Sequence, residues 1–184
     1  VKFINATVSD RKALKDFDAA FFGHAAFVVS NLARTLWLGF TRGHGVSAPG
    51  DRHARRYFQQ LTRMSSAFAL MADISMLLLG GSLKRRERMS ARLGDILSQM
   101  YLASAALKRY EDNGEPQDEV PLLQWSVRDA FCRSEAAFIE LLENLPFRAV
   151  STFLPYIIFP YGREFKPPRD ALSRRVVDLL LEPN

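Results

Sequence analysis

A chain of 184 residues, 48% of them hydrophobic, is long enough to bury roughly 70% of its unfolded surface around one core, so neither a disulfide framework nor a structural metal is needed to hold it. The 25 Lys and Arg against 20 Asp and Glu leave a formal charge of +5; that favours an anionic surface among its partners but is modest. With no helix-turn-helix, zinc or aromatic stacking motif to accompany the charge, nucleic acid is not expected as a partner.

The single cysteine, Cys132, lies in a helical pattern where a small buried thiol is expected. A lone thiol suits a reducing compartment. The chain opens on Val1 without a cationic, apolar signal pattern, so it reads as an internal piece of a longer protein. The apolar runs Ala19 to Ala33 and Pro146 to Gly162 are too short or too proline-broken for a bilayer, which needs about 20 apolar residues. A cytoplasmic location is expected, with a peripheral place on the inner membrane as the alternative.

Ser9 and Asp10 offer a cap for a first helix, in which Ala13, Leu14 and Phe17 lead into Ala20, Phe21, His24, Phe27, Val28, Asn31, Leu32 and Thr35 at three- and four-residue spacing. Gly23 offers a bend. The glycine- and proline-bearing stretch Arg42 to Gly50 is a loop, and Asp51 offers a cap for a second helix through Tyr57, Leu61, Met64, Phe68, Met71, Ile74, Ser75 and Leu78. Gly80-Gly81 ends or redirects that helix, because glycine reaches the left-handed region without steric cost.

A third helix carries Met89, Leu93, Ile96, Leu97, Met100, Ser104 and Leu107 on one stripe and ends at Tyr110 to Gly114. After the acidic turn Asn113 to Glu119, Pro121 suits the first turn of a fourth helix through Leu122, Trp125, Ala130, Cys132, Ala136, Ile139 and Leu142. Pro146, Pro155 and Pro160 cut the next apolar stretch into pieces, predicting an irregular strap, with Tyr156 to Phe159 as the one short strand candidate. A last helix, Asp170 to Leu181, shows Leu172, Val176, Leu179 and Leu180 on one side. The fold class is all-α: an elongated bundle of about four long helices, each of 25 residues spanning about 38 Å, plus short terminal helices and a proline- and aromatic-rich irregular segment near the C-terminus.

No Glu-x-x-His or His-x-x-x-His spacing links His24, His44 and His53, so no metal site is expected. His24, on the apolar face, reads as a hydrogen-bonded core histidine. Asp73 interrupts an apolar helical run and needs a partner, since an unpaired buried carboxylate is costly. A hairpin at Gly80-Gly81 would set it opposite Arg88 or Arg92, so a buried ion pair among Asp73, Arg88 and Arg92 is expected. Lys84, Arg85, Arg86 and Arg88 stand where the third helix should start, against its macrodipole. Either an anion or acidic neighbours compensate them, or the patch is solvated; lipid headgroups are one anionic candidate. The aromatic segment Phe147 to Phe165, with Arg163 and Lys166 at its edge, is either a strap packed on the bundle or a membrane-interface element.

The runs Ala69 to Met76, Leu83 to Arg88 and Ala105 to Tyr110, together with Arg34 to Gly43, Ala54 to Leu61 and Ile158 to Arg163, resemble in order the C-terminal region of the bacterial acyl-CoA dehydrogenases of fatty-acid β-oxidation. That resemblance implies a parent flavoprotein that binds FAD, oxidises fatty acyl-CoA to the trans-2-enoyl-CoA and passes electrons to an electron-transfer flavoprotein. The base of that family is a glutamate in a Val-Glu-Gly type segment upstream of the matched region, and no Val-Glu-Gly occurs in this chain. The resemblance therefore implies no catalytic and no FAD-binding residue here. It implies that residues 1–184 form a single helical C-terminal domain, similar in placement to the extra helical domain of mitochondrial very-long-chain acyl-CoA dehydrogenases. Its partners would be the remainder of the dehydrogenase chain, an anionic membrane surface or a second copy in a homodimer; the alternative is a membrane-surface or protein-interaction module.

Overall fold

The computed structural model describes residues 2–181, with side chains from Lys12 onward. Six helices follow one another: α1 (Lys2–Phe40), α2 (Arg55–Leu79), α3 (Glu87–Asp112), α4 (Val120–Glu143), α5 (Arg148–Ile158) and α6 (Asp170–Leu181), with 3₁₀ turns at Gly80–Arg85 and Gln117–Glu119. There is no strand among the described residues, so the chain is all-α. Periodicity in the sequence explains the packing. Met64, Ala67, Leu70 and Met71 from α2, Ile96, Met100, Ala103 and Leu107 from α3, and Val127, Phe131, Phe138 and Leu141 from α4 all lose their solvent exposure in one cluster. Each large side chain so buried stabilises the fold by roughly 1.5–3 kcal/mol. Helices α3 and α4 share the most extensive contact, α1 lies along α2, α5 bridges α1 and α4, and α6 lies on α4, where Trp125 Nε1 donates to Ser173 Oγ at 3.0 Å.

The breakers around α2 and at the start of α4 act as the sequence predicts. Asp51 Oδ1 accepts from the backbone N–H groups of His53 and Ala54, both at 2.8 Å, and so caps the turn that leads into α2. Gly80 ends α2 with φ +47, and Pro121 sits in the first turn of α4. Gly43 has φ +76, and a Cβ there would lie 2.8 Å from the Gln59 carbonyl oxygen, so only glycine lets the α1–α2 loop pass this close to α2. The loop is pinned to the α3–α4 turn as well, because Asp51 N donates to Glu115 Oε1 at 3.0 Å and Tyr110 Oη to Asp51 Oδ2 at 3.3 Å.

Three expectations are corrected. The backbone is helical from Lys2, which puts Ser9 inside α1 instead of at its cap; the side chains of Ser9 and Asp10 lie outside the described ones. Gly23 falls within the same continuous helix. The strap is shorter than its prolines suggest: Arg148–Ile158 is helical with Pro155 inside it, which also removes the strand candidate, and only 159–169 is irregular. Pro155 deletes one helical hydrogen bond, but burial of Leu154 and Ile158 on one face holds the turn closed, and Phe159 N still reaches Pro155 O at 2.7 Å.

α1 is the element that departs most from a closed bundle. Its lower part is level with α2, Asn31 beside Asp73 and Thr35 beside Ser66. Every side chain from Lys12 to Phe27 is exposed, including Leu14, Phe17, Phe21, Phe22 and Phe27, a stretch of about 24 Å. His24, expected in the core, belongs to this exposed stretch. The run Arg55–Arg85 is the one helix among the described residues that is long and apolar enough to cross a membrane; here it is the central element, in contact with both α1 and α3.

Candidate functional site

Two buried charged side chains, Arg63 and Glu135, and the partly buried Glu164 organise the C-terminal strap. Arg63 of α2 is 3% exposed. Its Nη1 and Nη2 donate to the two carboxylate oxygens of Glu164 at 2.9 and 3.2 Å, and Nη2 also reaches the Ile158 carbonyl at 3.2 Å. This is the bidentate geometry in which an arginine fork binds a carboxylate best. From the other side Glu135 of α4, 2% exposed, accepts the backbone N–H of Glu164 at 2.9 Å and of Phe165 at 3.3 Å. Burial pushes the Glu135 carboxyl above its ordinary range; those two N–H donors oppose the shift and the nearby Glu164 charge adds to it. Arg42 lies 3.9 Å from Glu164 and stacks over the Tyr161 ring at 4.3 Å.

Asp73 is buried, as the sequence suggests, but its partner is Asn31 of α1, whose Nδ2 donates to Asp73 Oδ2 at 3.0 Å. The expected ion pair with Arg88 or Arg92 is not the arrangement found. Helix α3 turns its basic side toward α4, so Arg92 Nε meets Glu140 at 3.3 Å, and Arg88 is exposed. A neutral amide suffices for Asp73 because the carboxylate sits at the edge of the α1–α2 contact, at 9% exposure.

Lys84, Arg85, Arg86 and Arg88 are all exposed, and none forms an ion pair among the described residues. The conflict with the macrodipole is smaller than the sequence implies. Lys84 and Arg85 close the 3₁₀ turn, where cations are favourable, and Glu87 opens α3. Cys132 is only partly buried; burial, followed by the Glu135 and Asp129 charges, pushes its thiol up, away from the reactive thiolate. No group of three metal-ligating side chains occurs among the described residues.

Two clefts border the strap. The larger, ≈ 680 Å³, opens between the start of α2, the middle of α4 and residues 164–169 and is rich in arginine. The smaller, ≈ 320 Å³, is apolar, with Ile139, Leu142, Pro155, Tyr156 and Phe159 in its wall. Sequence reasoning missed Arg63, Glu135 and Glu164. The one local signal was a charged residue on an apolar stripe: Glu135 follows Phe131 and precedes Phe138, and Arg63 adjoins Met64 and Ala67.

Over residues 2–184 the chain matches the family described as acyl-CoA dehydrogenase, C-terminal, bacterial type. It belongs to that family, as the resemblance of its sequence runs implies. No solved structure matches it.

Proposed function

We propose that residues 1–184 form one helical, non-catalytic C-terminal domain of a flavin-dependent acyl-CoA dehydrogenase of β-oxidation, which docks onto the remainder of the enzyme and shapes subunit contacts or the substrate entrance. The observation that carries this reading is the exposed apolar stretch of α1. Leu14, Phe17, Phe21 and Phe27 continue the stripe that packs on α2 further down, with Phe22 beside Phe21, and an exposed apolar surface of this kind marks a docking face. In this reading the oxidation of fatty acyl-CoA to the trans-2-enoyl-CoA, and the transfer of electrons to an electron-transfer flavoprotein, occur on the remainder of the chain.

FAD also belongs to that remainder. The isoalloxazine ring needs an apolar slot with a few fixed donors. The apolar cleft of ≈ 320 Å³ is too small for the whole cofactor, and the larger cleft, lined mostly by polar and cationic side chains with aromatic ones in part of its wall, is not an apolar slot. Neither cleft at the strap therefore fits the flavin, and no step is derived through it.

The test is made in the full-length enzyme. Replacing Phe17, Phe21 and Phe27 by Ser should break its assembly, read as a lower mass in size-exclusion chromatography with light scattering, without lowering the thermal midpoint of the 184-residue chain. Unchanged assembly together with unchanged protease resistance of α1 in the full-length enzyme, or a stoichiometric flavin spectrum or acyl-CoA oxidation by the 184-residue chain alone, would refute the reading. A membrane-surface role is favoured by a different observation: Met76 and Leu77, 54% and 74% exposed, lie within a dozen residues of the four exposed cations Lys84, Arg85, Arg86 and Arg88. Sedimentation with anionic vesicles that disappears when the four cations become Ser supports it; sedimentation that persists assigns the binding elsewhere.

A further inference from the structure

We propose that the arginine-rich cleft between α2, α4 and the strap is a binding site for a small phosphate-bearing ligand of nucleotide size. Arg52, Arg56, Arg128, Lys166 and Arg169 line it, drawn from the turn before α2, the first turn of α2, the middle of α4 and the strap. Its volume of ≈ 680 Å³ falls within the roughly 300–1,000 Å³ of small-molecule sites.

The cations are positioned without being neutralised. Arg52 Nε donates to His53 Nε2 at 3.0 Å, Arg56 Nη1 to Gln59 Oε1 at 3.2 Å, and Arg128 Nε to Tyr57 Oη at 3.1 Å. None of these acceptors is a carboxylate, so each arginine is oriented without being held in an ion pair. None of the five cations pairs with a carboxylate among the described residues. The single carboxylate in the lining, Glu164, is already held bidentately by Arg63. Arg56 registers the resulting field: burial, then the charges of Arg63 and Arg42 against the opposing Glu164, push its guanidinium below its ordinary value. An anion in the cleft would relieve that strain.

The chemistry of the anion follows from the number and shape of the donors. Five cations in one concavity exceed what one carboxylate can use, whereas arginine forks match the multiple oxygens of phosphates. The cleft also has two partly exposed rings, Tyr57 and Phe165, backed by the buried Phe131 with ring centroids 6.3 and 5.1 Å from it. Such rings suit a planar ring attached to the phosphates. A concave site of this size fits a free small molecule better than a membrane plane.

Isothermal titration calorimetry of the 184-residue chain with ADP, inorganic pyrophosphate and adenosine tests each half of the assignment. Both phosphates should bind with dissociation constants below about 1 mM at low salt, ADP the tighter, and adenosine should give no measurable heat. Affinity should fall at least about tenfold as salt rises from roughly 50 to 500 mM, because screening shortens to a few ångströms. The double substitution Lys166→Glu with Arg169→Glu, at two exposed positions, should weaken ADP at least about tenfold with unchanged circular dichroism; should it unfold the chain, Arg128→Gln takes its place with the same expected loss. Serine at the four cations 84, 85, 86 and 88 should leave ADP binding as it was. No binding of either phosphate, or full affinity in the cleft variants, overturns the site. Equal affinity for ADP and pyrophosphate overturns the ring contact. Binding of phosphatidylglycerol vesicles, but of neither soluble phosphate, assigns the face to a membrane and overturns the proposal as well.

Discussion

The two charged regions of this chain behave in opposite ways. Lys84 to Arg88 is conspicuous in the sequence yet exposed and unpaired among the described residues, whereas Arg63, Glu135 and Glu164 are scattered over about a hundred positions and meet in one largely buried clamp. The difference teaches that clustering along the chain is a poor guide to energetic commitment. A run of neighbouring cations on a helix end is easily solvated. A charge withdrawn from water must be met by partners with good geometry, and only the fold brings those partners together.

The comparison breaks most visibly at Arg63. Arg63→Ala leaves the Glu164 carboxylate, 14% exposed, without its fork and is expected to cost about 3 kcal/mol in chemical denaturation, at the low end for a broken buried pair. If the clamp is a coupled unit, Arg63→Met combined with Glu164→Gln costs less than the two single substitutions added together. Simple additivity would mean that the pair is incidental.

The next effect is at Glu135. Glu135→Ala strips the acceptor from two part-buried backbone N–H groups and is expected to cost about 1–3 kcal/mol, with the strap 159–169 becoming the first site of proteolysis. Its pH dependence has a definite sign. The folded-state carboxyl titrates above its ordinary value of 4.5, so the folded protein holds this proton more tightly than the unfolded chain does. The stability from that proton is present below pH 4.5 and is lost as pH rises through the folded value. Measured against Glu135→Gln, which has no such titration, the parent chain should lose stability over that window; a rise with pH would contradict the burial of this carboxylate.

The smallest effect belongs to the exposed run. Changing Lys84, Arg85, Arg86 and Arg88 to Ser together should alter stability by less than about 1 kcal/mol in thermal denaturation, since exposed unpaired charges contribute little. Removal of Arg86 and Arg88 from the start of α3 even relieves the macrodipole by a few tenths of a kcal/mol. A large loss would show that these cations hold the α2–α3 junction.

Much of the architecture was legible beforehand. The glycine pair closing α2, Pro121 in the first turn of α4, the end of α3 near Tyr110 and the span Asp170–Leu181 all follow from periodicity and breakers. The family resemblance, carried on the same runs, matched the family that the whole chain belongs to. Pro155 misled because a local breaker lost to burial of Leu154 and Ile158. Leu97, placed on the core stripe of α3, is 53% exposed, because α3 rotates toward α4 and Ala103 takes the inner face. The cleft was invisible, since Arg52, Arg128 and Arg169 have nothing in common until α2, α4 and the strap converge.

By itself the sequence determined the all-α class and the approximate limits of α2, α3, α4 and α6, because hydrophobic periodicity, capping and the φ restrictions of glycine and proline act within a few residues. Tertiary structure alone decided that Asp73 meets Asn31 instead of an arginine, that Arg63 finds Glu164 across 101 positions, and that α1 runs past its partner with its phenylalanines exposed. Those outcomes depend on the rotation and register of whole helices. A displacement of one residue turns a helical side chain by about 100°, and no local pattern specifies which neighbour it will then face.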